Sequence, residues 1–250
     1  MSDRPTPEQL AEFSCAGFLV IRGFFEAAGC ADLRRWTEEI ATAPELPGRH
    51  MVYYEDSLTE PGRRIVQRIE NMCPFYPGFD TLLRHGRLIA WAGALLGDEA
   101  VLFKDKINFK LPGGGGFELH QDQQAGWSAY APLFLTAMVS IDDSTLENGC
   151  LEIAPGRHEE GLLGEEWRPL KADGLALAPV QTDPGDVIFF DSFVPHASGP
   201  NRTAAPRRIL YVTYSRAGDG DHRARYFADK RRDFPPDIER EPGRVYTFRV

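Results

Sequence analysis

The sequence predicts a mainly β fold with α-helices, namely a double-stranded β-helix (jelly roll, cupin-like) core with N-terminal helices packed on one sheet. Before Gly97 the apolar residues recur mainly at helical spacing, whereas the later segments are short, rich in β-branched and aromatic residues, and separated by turn signals. Helices that precede strands, without strict alternation, argue against a doubly wound parallel sheet. The 250 residues fit one domain, with a mainly helical part over 1–98 and the jelly roll and C-terminal tail over 99–250.

The N-terminal elements begin at a helix cap. Thr6 suits the N-cap position and Pro7 the first helical position, so a short helix is predicted to run to about Phe13. Gly97 marks the end of the last helix of this part. The other elements predicted here are the strand Gly17–Phe24 and the helices Ala27–Ala43 and Phe79–Leu96.

Five β-rich segments follow Gly97. Turn signals such as Pro112-Gly113 and Pro184-Gly185 separate them, as is typical of an antiparallel sandwich or barrel. The predicted strands are Val101–Leu111, Thr136–Ile141, Gly149–Ala154, Val187–Phe190 and Ile209–Tyr214.

The amino-acid composition and net charge indicate which classes of molecule the protein is expected to bind. Hydrophobic residues make up 42% and charged residues 26%, which is typical of a globular protein, and the net charge of −9 disfavours nucleic acid. The four cysteines are scattered and are expected to be reduced. The N-terminus carries no hydrophobic signal region, and the apolar stretch around Leu88–Leu96 is too short to span a membrane. We therefore expect a cytoplasmic monomer or homodimer that acts on a small molecule.

A metal site is predicted from His120, Asp122 and His196. Side chains at i and i+2 of a strand emerge on one face, so His120 and Asp122 point to the same spot. His196 follows a turn and a buried strand and supplies a third ligand. Two histidines and one carboxylate form the facial triad of non-haem iron(II) oxygenases. An HxD triplet alone also occurs by chance, so its weight comes from the segment after His196.

An anion-binding arginine is predicted in that segment. Arg207 lies eleven residues after His196, at the start of a strand, where its guanidinium can bind a carboxylate through two hydrogen bonds. Ser198 is expected to add a hydroxyl hydrogen bond to the same carboxylate. Arg208 next to it is the competing candidate, and a surface arginine is the ordinary alternative.

In this order and spacing the motifs resemble the phytanoyl-CoA dioxygenase family, and more closely its small bacterial members, from about Gly17 to Val250. The matching segments are His120-Gln121-Asp122, Glu147–Leu151, Ile153–His158, Gly185–Phe190, His196–Asn201 and Arg207. The resemblance implies iron(II), O2 and 2-oxoglutarate, whose far carboxylate Arg207 would bind. It also implies hydroxylation of a small molecule with release of succinate and CO2; some members instead epimerise, cyclise or desaturate, and a few act on phosphonates. Arg157 stands where the family commonly has serine. Because Asp122 is present, radical halogenation is not expected.

Further candidates surround the predicted triad. Residues 103–110 alternate in polarity, which predicts that Lys106 and Asn108 face either solvent or the co-substrate. Gln121 is expected only to support the metal ligands from behind, without binding the metal itself. Residues expected to form a substrate pocket are Gln123, Gln124, Trp127 and Tyr130. By resemblance, Met51–Asp56 and Arg68–Asn71 would form a lid.

Two other functions fit the same residues. A cupin-like zinc or manganese hydrolase or isomerase would use the same three ligands but has no need of Arg207. A non-catalytic small-molecule binding protein would keep the barrel without the chemistry.

Overall fold

The computed structural model describes residues 2–171 and 174–246, so the last residues of the predicted resemblance, 247–250, lie outside them. In this part of the chain, the strands form two antiparallel sheets in the orders β1-β9-β6-β11-β4-β3-β2 and β5-β10-β7-β8. The predicted antiparallel architecture is confirmed. The strands are β1 Phe18–Ile21, β2 Met51–Asp56, β3 Arg64–Glu70, β4 Ala100–Lys110, β5 Phe117–His120, β6 Leu135–Ser140, β7 Leu151–Ile153, β8 Ala178–Val180, β9 Val187–Asp191, β10 His196–Ser198 and β11 Arg207–Arg216.

The N-terminal helices pack on one face of the larger sheet, as predicted, whereas the C-terminal helix lies at the cavity on its other face. Leu33 of the second helix and Trp91 of the fourth join a core with Leu135, Val139 and Val212 from the strands. Burial of this apolar surface is the main force that holds the helical layer on the sheet. The helices are α1 Pro7–Ala16, α2 Ala27–Thr42, α3 Pro77–Arg84, α4 Arg87–Leu96 and α5 Arg223–Asp233.

The first helix shows the predicted cap in full. The Thr6 hydroxyl accepts a hydrogen bond from the backbone N–H of Gln9 at 3.3 Å, and the Gln9 side chain accepts one from the Thr6 N–H at 2.9 Å. This reciprocal capping box satisfies two N–H groups that the first turn leaves without partners. The helix extends beyond Phe13 to Ala16 and ends at Gly17, which adopts a positive φ of 77°.

Two expectations about the first 98 residues are wrong. Met51–Asp56 and Arg68–Asn71 do not form a lid, because the former is β2 and most of the latter belongs to β3, and both extend the larger sheet. The expected helix Phe79–Leu96 is divided at His85-Gly86 into α3 and α4. Gly86 has a φ of 79°, which no helix interior accommodates.

The inner face of the larger sheet carries polar residues in cross-strand register. Lys104 on β4 lies opposite Thr213 on β11, which in turn lies opposite Thr136 on β6. A second such row lies two residues further along β4 and consists of Glu70, Lys106 and Tyr211. The alternation predicted for β4 is confirmed from Lys104 to Lys110, but a bulge opposite Thr213/Tyr214 turns Phe103 into the aromatic cluster beside the inner face.

No helix within the two described ranges is both long and apolar enough to cross a bilayer. Cys15, Cys30, Cys73 and Cys150 are free thiols in the structure.

Candidate active site

His120, Asp122 and His196 converge at the open edge of the smaller sheet. His120 on β5 is the direct cross-strand partner of His196 on β10, and their ring centroids are 4.3 Å apart. Asp122 lies two residues after His120, at the start of a 3₁₀ turn that follows the end of β5, so the expectation that both residues lie on one strand is wrong although they do point to one spot. Its Oδ1 lies 3.9 Å from His120 Nε2 and 4.0 Å from His196 Nε2. One ligand atom from each residue therefore lies within 4.8 Å of the others, a spacing that one metal ion can bridge.

Backbone carbonyls set the orientation of both imidazoles. His120 Nδ1 lies 2.6 Å from the Glu118 carbonyl and His196 Nδ1 lies 3.0 Å from the Val194 carbonyl. Because a carbonyl can only accept, each Nδ1 carries the proton and each Nε2 keeps its lone pair toward the centre.

The site is built for neutral histidines and an ionised carboxylate. Burial and the neighbouring His196 lower the pKa of His120 to about 3, and burial also lowers the pKa of His196. Burial alone would raise the pKa of Asp122, but His196, His120, Lys106 and Lys104 together outweigh it and lower that pKa. Two neutral nitrogens and one negative oxygen suit a divalent metal such as iron(II).

The Arg207 side chain is buried in a position that is suited to binding a carboxylate. It is 1% exposed, its Nε donates to Ser144 Oγ at 2.8 Å, and its Nη2 has no hydrogen-bond partner among the described residues. A buried donor without a partner is costly, and an anion bound here would satisfy it. Arg208, the competing candidate, instead binds Asp142 through two hydrogen bonds of 2.7 and 2.9 Å.

Ser198 and Lys110 lie beside this arginine. Lys110 is the cross-strand partner of Arg207, and its Nζ donates to Ser198 Oγ at 2.8 Å. The serine oxygen is thus an acceptor from the lysine and keeps its own proton for a further acceptor. This end of the cleft fits the far carboxylate of a dicarboxylic co-substrate.

Lys106, Asn108 and Tyr211 lie along the sheet between the triad and Arg207. Lys106 Nζ is 4.9 Å from the Tyr211 ring centroid, and burial together with Lys104 lowers the Lys106 pKa to about 7. Asn108 is buried, and its Oδ1 has no hydrogen-bond partner in the described part of the chain. Both predicted residues therefore face inward rather than toward solvent.

A cavity of about 750 Å³ opens in front of the triad. Its wall includes the carboxylates Glu70, Glu118, Asp122, Asp229 and Asp233 and the exposed Arg225, Arg232 and Arg244. Four further cationic side chains, from β3, β4 and α5, are buried or half-buried, and they are Arg68, Lys104, Lys106 and Lys230. The fully buried Glu70 pairs with two of them, through Arg68 Nε at 2.6 Å and Lys230 Nζ at 2.7 Å. Burial would raise the pKa of Glu70, but Lys230, Lys104 and Arg68 hold it well below its usual range.

The expected pocket residues divide into two groups. Trp127 and Tyr130 line the cavity, as expected. Gln123 and Gln124 do not, because their amides bind backbone carbonyls elsewhere, and Gln121, which was expected only behind the ligands, does not line it either. Gln121 donates to Gly161 and Phe193, Gln123 to Ala131, and Gln124 to Glu165 and Arg168. These three glutamines hold the loops around the site and make no wall of it.

The structure adds wall residues that the sequence did not assign to the substrate pocket, although Tyr226 and Arg231 were minor candidates for approaching the site. Arg68 and Glu70 were expected in a lid, and only their register with β4 places them in the cavity. Lys104 shares the polar face of β4 with Lys106, which is the signal that would have found it. The C-terminal helix brings Tyr226 and Lys230, whereas Arg231 points away and pairs with Glu239.

Comparison with known proteins identifies the family. The sequence profile described as phytanoyl-CoA dioxygenase (PhyH) matches residues 13–209. The chain belongs to the phytanoyl-CoA dioxygenase family. It is 40% identical over 246 residues to a 2-aminoethylphosphonate dioxygenase of an uncultured bacterium, covering 97% of this chain and 94% of that one. It is also 40% identical over 238 residues to a methylphosphonate hydroxylase of Gimesia maris, covering 94% and 90%.

A solved structure agrees with this membership of the phytanoyl-CoA dioxygenase family. EctD from S. alaskensis with 2-oxoglutarate and 5-hydroxyectoine superposes with a TM-score of 0.74 at 25% identity, covering 86% of this chain and 77% of that one. The predicted jelly-roll fold, the dioxygenase class and the iron and 2-oxoglutarate cofactors are confirmed. The cupin-like hydrolase and the non-catalytic binding protein are thereby set aside.

Proposed function

We propose that this chain hydroxylates a small organophosphonate at a C–H bond. In this proposal His120, Asp122 and His196 hold iron(II), and Arg207 holds the far carboxylate of 2-oxoglutarate. The imidazole tautomers, the low pKa of the Asp122 carboxyl and the unpartnered Arg207 Nη2 support these roles. Bound iron and 2-oxoglutarate supply the oxidising power, with one oxygen atom of O2 entering the product and the other entering succinate as CO2 leaves.

The charge of the cavity wall is the basis for proposing a phosphonate as the substrate. Of the carboxylates that line the cavity in the described structure, Glu70 is the only one that is fully buried; Asp122 is half-buried in the triad, and Glu118 and Asp233 are exposed. At the mouth, Asp229 and Asp233 already pair with Arg232. A phosphonate has three acceptor oxygens and up to two negative charges, so it can satisfy Lys104 and Lys106, which have no carboxylate within 4 Å among the described residues. Arg68 and Lys230 already pair with Glu70. Two relatives at 40% identity, named for phosphonate substrates, support the same class.

Lys104 is the wall residue best placed to bind the phosphonate. It is 8% exposed, and within the described ranges no carboxylate lies within 4 Å of its Nζ. The ammonium instead lies 5.4 Å from the Trp127 ring centroid and 5.6 Å from that of Tyr226. Trp127 adds a buried indole N–H that has no hydrogen-bond partner among the described residues. Both Lys104 and Trp127 line the cavity that opens in front of the triad.

The aromatic residues of the cavity wall have a different role from the cationic residues. Trp127, Tyr130 and Tyr226 pack around Phe103 with centroid separations of 5.5, 5.5 and 4.6 Å. Such a wall excludes water from the space in front of the triad, which strengthens each contact between the cations and an anionic substrate.

The test is substrate-dependent turnover. Protein loaded with iron(II) without oxygen is mixed with O2, 2-oxoglutarate and methylphosphonate or 2-aminoethylphosphonate, and succinate and the phosphorus NMR spectrum are followed. We expect a phosphonate to increase succinate formation and a hydroxylated phosphonate to appear. Acetate, a singly charged analogue of methylphosphonate, should stimulate turnover far less.

A matched pair of variants tests the role of Lys104. Lys104→Met should raise KM for the phosphonate about 10- to 100-fold, since a hydrogen bond to a charged group contributes about 1.5–3 kcal/mol. Lys171→Met removes an exposed lysine and should change nothing. Equal KM values for the two variants, or stimulation by uncharged compounds alone, would contradict the substrate class. A rearranged or desaturated product would instead assign the epimerising, cyclising or desaturating chemistry found in this family.

We further propose that the protein acts in the cytoplasm as a monomer or homodimer. Its four free thiols support a reducing compartment.

A further inference from the structure

The hydroxyl of Thr136 binds the carboxylate oxygen of Asp122 that faces away from the histidines. Thr136 Oγ1 donates to Asp122 Oδ2 at 2.9 Å, while Oδ1 is the oxygen that lies 3.9–4.0 Å from the two Nε2 atoms. The two oxygens of one carboxylate therefore have different partners. One faces the centre of the triad, and the other is held by the larger sheet.

Thr136 is an unusual residue for its position. It lies on β6, with β9 on one side and β11 on the other, and it is 1% exposed. On the opposite face of the same strand, Leu135, Ala137 and Val139 belong to the main hydrophobic core. A buried hydroxyl in such a strand costs free energy unless it is hydrogen-bonded, so the choice of threonine over valine needs a reason.

The direction of the hydrogen bonds is fixed by chemistry. An ionised carboxylate can only accept, so Thr136 must donate its single proton to Asp122. Thr213 Oγ1 lies 3.2 Å from Thr136 Oγ1, directly across from it on β11. Because the Thr136 proton is already committed, Thr213 must be the donor in that pair. A short chain from Thr213 through Thr136 ends on Asp122.

We propose that Thr136 is a positioning residue that makes Asp122 bind the metal through Oδ1 alone. A free carboxylate can rotate and bind a metal through both oxygens, which would occupy a coordination position required by 2-oxoglutarate or O2. With Oδ2 bound to Thr136, the triad contributes three ligand atoms and leaves the remaining positions open. This inference rests on the metal site proposed above.

A merely structural role for Thr136 would predict a different experimental result. If the hydroxyl only satisfied the interior of the sheet, its loss would change the free energy of unfolding and leave metal coordination as it is. Thr136→Val keeps the shape of the side chain and removes the hydroxyl. Thr136→Ser keeps the hydroxyl and removes the methyl group. Thr213→Val leaves the bond from Thr136 to Asp122 in place.

The experiment measures metal binding without oxygen and therefore without turnover. Iron(II) is titrated into each variant, and the visible charge-transfer band is recorded after 2-oxoglutarate is added. We expect Thr136→Val to bind iron about 10- to 100-fold more weakly, the usual effect of losing a group that orients a metal ligand. Its band with 2-oxoglutarate should also be weaker or shifted. Thr136→Ser should resemble the wild type, and Thr213→Val should fall between them.

Wild-type iron affinity and an unchanged band in Thr136→Val would overturn the inference. If that variant does not fold, Thr136→Ser decides, because a tenfold loss of iron affinity with the hydroxyl present would equally contradict it. Asp122→Ala separates the two proposals. Iron binding retained in Asp122→Ala refutes the metal site itself, whereas iron binding lost there but intact in Thr136→Val refutes only the role of Thr136.

Discussion

Lys106 lowers the stability of the folded protein because its amino group is buried in the cavity wall. It lies between Glu70 and Tyr211 on the inner face of the larger sheet, and burial with the nearby Lys104 lowers its pKa to about 7. In the unfolded chain the pKa returns to its ordinary value of about 10.4. Between these two values the unfolded chain holds a proton that the folded protein has released. Stability from this residue therefore rises as the pH rises from about 7 to about 10, and it is lowest below pH 7.

Lys106→Met should accordingly stabilise the protein at neutral pH. At pH 6–7 we expect an increase of about 1–3 kcal/mol in the free energy of unfolding, because one pKa unit corresponds to about 1.4 kcal/mol and the open cavity reduces the full effect. The gain should shrink toward pH 10. Thermal unfolding of both proteins from pH 6 to pH 10 measures it, with Lys171→Met as the exposed control. A difference that does not vary with pH would refute the assignment.

The C-terminal helix α5 depends on a buried ion pair at its first turn. Arg223 Nη2 lies 2.6 Å from Asp105 Oδ1 on β4 and 2.9 Å from Asn71 Oδ1 in the turn after β3. The other oxygen of Asp105 accepts from the Met72 N–H at 2.6 Å. This clamp sets the end of the helix from which Tyr226 and Lys230 reach the cavity wall.

Removing the arginine should loosen the helix and weaken the substrate site together. Arg223→Met leaves the fully buried Asp105 without its cationic partner, a change that costs about 3–5 kcal/mol. We expect faster hydrogen exchange along α5 and a higher KM for the substrate. Ala228→Ser, at an exposed position of the same helix that does not line the cavity, is the control. Unchanged exchange rates in Arg223→Met would show that other contacts hold α5.

At the scale of elements, the sequence predicted what is local. The Thr6 cap, the alternation of β4 and the strands after Gly97 depend on neighbours in sequence, and they appear as expected. The expected lid was wrong because it was taken from family resemblance, although Met51–Asp56 is rich in aromatic and β-branched residues that favour a strand. The break at Gly86 was missed since the helical pattern of apolar residues continues across it.

At the scale of the whole molecule, the site is shared between the two sheets. The smaller sheet and the turn after β5 provide the triad, whereas the larger sheet provides Arg207, Thr136 and the lysines of β4. The triad was predictable because each ligand lies in a recognisable motif. Arg68 and Glu70 were not, because their place in the cavity depends on the register of β3 against β4. Register between segments about 40 residues apart is a property of the folded chain.

Because the site joins the sheets, its ligands should stabilise the whole fold. A ligand at 100 times its Kd contributes about 2.7 kcal/mol, which corresponds to a rise in Tm of about 5–10 °C in a domain of this size. Without oxygen, iron(II) alone should raise Tm, 2-oxoglutarate alone should have little effect, and the two together should raise Tm further. Arg207→Met should keep the response to iron and lose the increment from 2-oxoglutarate, while Asp122→Ala should lose both. An increment from 2-oxoglutarate that survives in Arg207→Met would mean that its far carboxylate binds elsewhere, with Lys110 and Ser198 the nearest alternatives.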